Sequence, residues 1–541
     1  MMKWFLTAII TACLLIAGCS GNKEPAKADS ELPELHLNNT VAAFCNLYAP
    51  GAVAVEGYGI VAGLGTNGSS ECPTQIREYM IKLVQQMLGD TNRLEAIRFI
   101  NSTDNAVVRV YGQIPAGAKR GQKFDLFVEA LTNTQTTSLK DGSLFTCNLT
   151  TKSKLGVAGA KIIASGQGPM YVEQTENPQD LRKGVVIGGG SFTEDNKLYL
   201  ELKKPDYRLT SIIRNRINER FGEGTAAARS SHIVNLTIPK SFEGKYEKFG
   251  KLVTALYLPE DNEALIARTL LLARNLEDPI DDSIEYGLEA IGRPALTAIT
   301  PLLDSDIAAV RLRAARCALN IGYEKAGDVL VELASTPGSP YKREAIEAIG
   351  ESVASISTKS QLRQFLSDDD AEIKILCYEY LSEASDLSVM PKRTNSGFRI
   401  DTIITSKEPL VYVRRERSPR IVLFGMRIPL AGNIFISLDG GNILVNNPVG
   451  SENILLLRQH PGMKEVIGPV YSKMTVDDLV DKLSDNSVLP GGARAGLGLG
   501  FTDTVRILRK LKEMQCIKAE VVIGPAPIRP EFENTLEKLS D

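Results

Sequence analysis

Histidine, the side chain that most readily moves protons near neutral pH, occurs only three times, at His36, His232 and His460. The three lie far apart in the chain. None stands at a spacing to cysteine or acid that marks a zinc site. A nucleophile with its base also needs partners held in reach, and any long chain contains the loose ingredients. The acidic run Asp368-Asp369-Asp370 offers oxygen ligands for calcium, yet it lacks the glycine and terminal glutamate of a calcium loop and reads better as a helix cap. Gly57 to Gly65 is glycine-rich, but no Gly-Lys-Ser/Thr ending follows to cradle phosphates, and Gly188-Gly189-Gly190 reads as a flexible turn. The expectation is a non-enzyme with no catalytic residues, no cofactor and no bound metal.

One cysteine carries a different chemistry. Lys3 precedes an apolar run that ends Leu15-Ile16-Ala17-Gly18-Cys19, too short for the roughly twenty residues of a membrane-crossing helix. Small residues before Cys19 resemble a bacterial lipoprotein signal, so residues 1–18 are expected to be removed and Cys19 to be lipidated. Ser20 after the cysteine points to the outer membrane. Residues 19–39, rich in Lys, Glu, Pro and Ala, then read as a tether. Of the eight cysteines, Cys317 and Cys377 fall on apolar helical faces and read as small core residues. A bridge among Cys45, Cys72 and Cys147 stays open, since pairing cannot be read from spacing.

Charge is nearly balanced, 62 Lys plus Arg against 65 Asp plus Glu, with no long basic block. Nucleic acid binding therefore has no electrostatic support. The compact basic group Lys119, Arg120 and Lys123, and the arginines Arg311, Arg313 and Arg316, are the candidate subunit or partner contacts. Gly63 is expected where a side chain would crowd a turn.

The chain is too long for one core, and three regions position these residues. Residues 40–259 read as mixed α and β. Strands are expected at Tyr58–Gly65, Val107–Val110, Lys123–Ala130, Leu198–Leu202 and Ile233–Ile238, and amphipathic helices from Gln75 to Leu88 and from Thr210. In residues 260–387 glycine becomes sparse and apolar residues recur every three or four positions. Ile291, Ile321, Ile349 and Leu381 occupy equivalent places about thirty residues apart, each first helix being followed by a second. These units resemble short HEAT repeats, and an α-solenoid normally holds another protein. Acidic caps are expected at Asp304-Ser305-Asp306 and Asp368–Asp370.

Residues 388–541 return to short strands, at Ile421–Phe424, Ile434–Leu438, Asn442–Val445 and Ala519–Ile523. Helices are expected at Thr475–Leu483 and Thr502–Met514, the second capped by Thr502 and Asp503. The glycine-rich segment Pro490–Gly500 between them reads as a contact loop or a solvated insertion.

Several of these pieces carry a resemblance. They are Gly57-Tyr58-Gly59-Ile60-Val61-Ala62-Gly63-Leu64 with the helix from Gln75; Ile114-Pro115-Ala116-Gly117-Ala118-Lys119-Arg120-Gly121-Gln122-Lys123-Phe124-Asp125 leading to Leu139–Leu144; and Leu202–Tyr207 with Ile217-Asn218 and Val234–Pro239. Thr475–Val480 and Asp503–Glu520 add a terminal pair of helices and a strand. In this order, over Val53–Pro239 and Val466–Ile523, they resemble the flagellar basal-body P-ring protein family. The helical repeats and the segment Asn395–Pro461 depart from that pattern, and a lipid anchor is not its usual form.

Resemblance and repeats together give the expectation of an α+β fold, with P-ring-like mixed α/β regions flanking an inserted α-solenoid of HEAT-like repeats. It implies a structural subunit of a homo-oligomeric ring around the flagellar rod, in the periplasm at the basal body. Rod or L-ring proteins and peptidoglycan would be its partners, and the membrane would be met through the lipid. The alternative is a non-flagellar envelope lipoprotein that binds proteins through its repeats.

Overall fold

A computed structural model describes residues 39–526, apart from 88, 90–91, 152–160, 174–180, 195–196, 259–261, 278–281, 353–355, 406, 417, 449, 460–465 and 491. Cys19, His36 and His460 lie outside the described residues. The described residues open with a short helix, α1 (Val41–Phe44), and a strand, β1 (Cys45–Tyr48). It then builds a closed six-stranded barrel from β2 (Val53–Ala62), β3 (Asn105–Ile114), β4 (Lys123–Ala130), β5 (Ser143–Thr151), β6 (Ala164–Pro169) and β7 (Lys183–Phe192). The barrel order is β2-β3-β4-β7-β6-β5, closed by the pairing of β5 with β2.

Six strands enclose little space, so the interior takes alternating aliphatics and glycines. Val108, Val110, Leu126, Val128, Cys147 and Leu149 fill it. At Gly57 a Cβ would lie 2.3 Å from the Asn148 carbonyl oxygen, so only glycine fits. The same crowding corrects the reading of Gly188–Gly190 as a turn. They lie within β7, where a Cβ on Gly190 would meet the Phe124 ring at 2.6 Å. Gly63 is also corrected: the space around it is open, and its φ of 83° is what favours glycine.

Between β2 and β3, α2 (Thr74–Met87) and α3 (Arg93–Ile100) cover one outer wall. The apolar stripe Ile76, Met80, Ile81 and Val84 meets Tyr58, Ile60 and Val107. Each such fully buried side chain contributes roughly 1.5–3 kcal/mol. After the barrel, β8 (Leu198–Leu202), α4 (Tyr207–Phe221), β9 (Ala226–Ala228) and β10 (Ile233–Leu236) return to β1. They form a sheet of order β1-β8-β10-β9, so the barrel is inserted between two neighbouring strands of this sheet. Asp206 caps α4, accepting from the amides of Arg208 and Leu209. The sheet's core, including Leu200, Ile213, Ile217 and Val234, closes over α5 (Tyr246–Ala255) through Phe249 and Val253.

Helices then follow in succession: α6 (Asn262–Arg274), α7 (Ser283–Ile291), α8 (Leu296–Ile299, extended by 3₁₀ turns), α9 (Ala308–Ile321), α10 (Ala326–Ser335), α11 (Lys342–Glu351), α12 (Ile356–Lys359, continuing as a 3₁₀ segment to Ser367) and α13 (Ala371–Glu383). Helices α7, α9, α11 and α13 pack in that order, each against the next, and α10 lies against α9 and α11. Leu288, Leu319, Ile349 and Leu381 share one continuous core. Cys317 and Cys377 are fully buried in it, as their spacing implied. The recurring glycine has two uses here. Gly322 ends α9 in a left-handed conformation, whereas Gly350 leaves room for the Tyr380 ring. Asp370 caps α13 as expected, accepting from the Glu372 amide at 2.8 Å. Asp304 does not cap α9, which starts after Ile307 without a side-chain cap.

The last part holds two sheets. Strands β11 (Val389–Arg393), β12 (Arg399–Ile403), β13 (Leu410–Arg414) and β14 (Arg420–Phe424) form the first, with β19 (Glu520–Ile523) added at its edge; its order is β11-β12-β14-β13-β19. Strands β15 (Phe435–Leu438), β16 (Ile443–Asn446), β17 (Asn453–Gln459) and β18 (Val466–Lys473) form an antiparallel meander. Helices α14 (Val476–Ser484) and α15 (Phe501–Glu513) share their core through Leu479, Leu483, Ile507 and Leu508. The segment before α15 is not a free loop in its second half. Leu497 and Leu499 are buried and donate their amides to the carbonyls of Lys482 and Leu483.

Candidate functional site

The turn between β3 and β4 carries the predicted basic residues. Gln122 accepts from the Lys119 amide at 3.1 Å, and the Gly121 amide donates to the Phe192 carbonyl, so the turn is fixed to the barrel rim. Its flank forms one wall of an open cleft of about 820 Å³, lined also by Gln113, Tyr246, Glu247 and Glu416. Three segments distant in sequence converge there: the barrel turn, the start of α5 and the loop between β13 and β14. Gly117 allows the approach, because a Cβ would lie 2.3 Å from the Tyr246 ring. Arg120 and Lys123 are exposed, while Lys119 is half-buried with its Nζ 3.6 Å from Glu243. The patch is therefore mixed in charge, with carboxylates from α5 and from the C-terminal region facing the barrel's cations.

The arginines of α9 behave otherwise. Arg313 is only 7% exposed, which corrects the reading of it as a surface contact. Its Nε donates to Glu285 at 2.7 Å and its Nη1 to the Leu276 carbonyl at 2.9 Å. Arg316 donates to both oxygens of the same carboxylate, at 2.7 and 2.6 Å. Arg311 donates to the Ser305 carbonyl at 2.7 Å. A buried carboxylate on α7 thus draws two guanidinium groups inward, and the pairing ties α7 to α9.

The Asp368–Asp370 run is likewise committed within the chain. Asp368 holds Lys342 at 2.6 Å and Asp369 holds Lys407 at 2.9 Å. Among the described residues no group of His, Cys, Asp or Glu is arranged to hold a metal ion. All six described cysteines are free thiols, so the bridge left open among Cys45, Cys72 and Cys147 is not formed. Burial in the barrel pushes the Cys147 thiol up to about 12.

Two charged junctions join the barrel to the C-terminal region, and neither was visible in the sequence. In the first, Lys140 pairs closely with Asp439 and lies 3.2 Å from Asp503. Arg506 bonds both carboxylates, at 3.1 and 2.8 Å. Asp503, expected as a helix cap, is instead 2% exposed at its side chain and lies inside α15, which starts after Gly500. Burial opposes the charge on Asp439, but the hydrogen bonds and charges of Lys140 and Arg506 hold its carboxyl below the usual range. Burial and then the charge of Asp503 raise that of Asp141. In the second junction Arg415 donates to the Gly524 carbonyl at 2.7 Å and to Glu173 at 3.0 Å. The Tyr171 ring also packs on Phe501.

These features describe a multi-part scaffold in which ionic junctions fix one module against another. Comparison with known proteins points in a particular direction. Residues 51–267 match the family model described as flagellar P-ring protein, a span that takes in the barrel, strands β8, β9 and β10 of the sheet it is inserted into, and α5, and that ends within α6. The chain is 28% identical over 193 residues to the flagellar P-ring protein of Bordetella avium, covering 34% of this chain and 50% of that protein. It is 30% identical over 200 residues to that of Campylobacter lari, covering 34% and 54%. With that of Oleidesulfovibrio alaskensis it shares 25% identity over 292 residues, covering 47% and 74%. The chain spans about half the length of the first curated relatives it matches. Among the described residues no helix is long and apolar enough to cross a membrane.

Proposed function

We propose that this chain is a structural, non-catalytic subunit of a flagellar P-ring, closing with copies of itself into a ring around the rod in the periplasm. The observation that carries this reading is the match over residues 51–267, which takes in the whole barrel and three of the four strands of its parent sheet. A closed ring needs two different surfaces on each subunit. The cleft beside Lys119, Arg120 and Lys123 is one, where a neighbour's charged segment would be oriented by complementary charge.

Lipid on Cys19, with residues 19–39 as a tether, would hold each subunit at the outer membrane. Residues 260–387 act as a short α-solenoid of HEAT-like repeats that presents a protein-contact surface towards rod, L-ring or peptidoglycan-associated partners. The second reading, a non-flagellar envelope scaffold, draws on one observation: helices α7 to α13 and the two C-terminal sheets lie outside the matched span.

Deletion of the gene in its own bacterium separates the two. Loss of motility, with basal bodies that lack a ring at the level of the cell wall, is the expected result. Normal swimming and complete basal bodies would overturn the ring reading.

A further inference from the structure

Helix α7 carries a carboxyl group that has almost no contact with water. Glu289 is 3% exposed and lies where the helical stack meets α4 and α5. Asn320 of α9, 8% exposed, donates from Nδ2 to Glu289 Oε1 at 2.7 Å. The other oxygen of each group, Glu289 Oε2 and Asn320 Oδ1, is buried and has no hydrogen-bond partner. Two orphaned acceptors on one bonded pair are costly. A carboxyl and a carboxamide present the same planar fork. With one bond already joining them, a proton on the free carboxyl oxygen can donate to the free amide oxygen and close a ring of two hydrogen bonds.

The neighbouring charges decide how readily that proton binds. From α5, Lys248 stands 3.4 Å from Glu289 Oε2 without making a hydrogen bond, and Lys251 lies over the Tyr286 ring of α7. From α4, Arg220 donates to the Glu289 backbone carbonyl at 2.8 Å and so is committed to the main chain. From α9, Arg313 and Arg316 are held by Glu285, one turn before Glu289, and the Cys317 thiol is fully buried. Helix α6 meets α7 through Leu272 against Gly287. Burial pushes the Glu289 carboxyl above its ordinary range, and Glu285 adds to this, against the charge of Lys248 and the bond from Asn320.

We propose that Glu289 is the proton-binding element of a joint between the helical stack and α5: a proton from solvent adds to Oε2, the new O–H donates to Asn320 Oδ1, Lys248 turns to water, and the stack is held more firmly. The sign follows from burial. Parting α5 from α7 exposes Glu289 and returns it to its ordinary affinity for protons, so proton uptake favours the closed joint. The gain is absent well above the raised value and grows as pH falls through it. The joint ties α5, inside the span that matches the family, to α7 and α9 beyond it, and it holds under either reading of the function.

Hydrogen exchange of the full-length protein tests this, read as protection factors for residues 246–255 and 283–291 from about pH 7 down to about pH 4.5. Wild-type protection should rise by about threefold or more over that range. Lys245, lowered to about 8 by burial and then by Lys359 and Lys248, is charged throughout it and adds no slope. Glu289→Gln puts an amide where the acid's O–H would stand, so protection should be high and flat. Lys248→Met, at a partly exposed side chain, should keep the rise and move it to higher pH.

Wild-type protection that falls or stays constant, a rise that survives Glu289→Gln, or a midpoint unmoved by Lys248→Met would overturn the proposal. Constant protection is the result expected if a buried water, and not a proton, joins the two oxygens. Should Glu289→Gln fail to fold, the midpoint in Lys248→Met still decides.

Discussion

Replacing Lys140 by methionine tests whether the first ionic junction holds the barrel to the C-terminal region. The side chain is 11% exposed, and its ammonium sits between Asp439, 23% exposed, and Asp503, 2% exposed. Removing one partner of a buried ion pair costs about 3–5 kcal/mol, chiefly because the other charge is left behind. Arg506 still reaches both carboxylates, so the expected loss is nearer about 2–4 kcal/mol. Methionine keeps most of the packing, so the loss reports on charge.

The pH dependence gives a second reading of the same junction. In the wild type the carboxyl of Asp439 is held low, so its contribution is present above its unfolded value and is lost as pH falls through the folded one. That of Asp141 is raised, so it opposes folding at neutral pH and relaxes as pH falls through its folded value. Without Lys140 the first effect shrinks and the second grows. The deficit of the variant should therefore narrow as pH falls from neutrality through the carboxylate range, down to about 4 and below. Urea unfolding followed by far-ultraviolet circular dichroism measures the deficit. Hydrogen exchange over residues 139–143 and 435–442 shows where it arises. A loss below about 1 kcal/mol, or a deficit that does not change over that pH range, would refute the reasoning.

Three further outcomes follow from the same structure. Gly57→Ala should destabilise the barrel by about 1–3 kcal/mol or prevent its closure, because the new methyl meets a backbone oxygen; an unchanged urea midpoint would contradict this. Burial, then the charges of Lys359 and Lys248, lowers the Lys245 ammonium from 10.5 to about 8, so the unfolded chain binds the extra proton between those values. Stability relative to Lys245→Met should rise by about 1–2 kcal/mol over that window, after discounting for solvent screening, and a flat difference would rule the cause out. Among the described cysteines Cys72 alone is partly exposed, so brief alkylation of the native protein with mapping by mass spectrometry should label Cys72 first. Equal labelling of Cys147 would contradict the closed barrel.

The helices were legible because their apolar period is set by contact with a neighbour on one side. That signal placed α2, α14 and α15 within one residue at each end. Strands β4, β8 and β14 were equally readable from short apolar runs, and the centre of β3 at Val107–Val110. Strands β5, β6 and β7 were not. Their interior positions alternate with Ser, Thr and Gly, because a narrow barrel has no room for larger residues, and such composition reads locally as turns.

The basic turn at Lys119–Lys123 was visible as a local run, but the acids that face it come from other parts of the chain. The junction of Lys140 with Asp439 joins residues 299 positions apart and leaves no local trace. Arg313 shows the opposite error. An arginine on a helix suggests a solvated face until a buried carboxylate, here Glu285, supplies a reason to turn inward.

The central claim is that copies of this chain close into a ring around a rod. Electron microscopy of basal bodies purified from the native bacterium, with the chain located by a labelled antibody, tests it most directly. Closed rings encircling the rod, with label on every ring at the level of the cell wall, are the expected result. Label confined to envelope fragments away from rods, with the extracted protein monomeric, would contradict it.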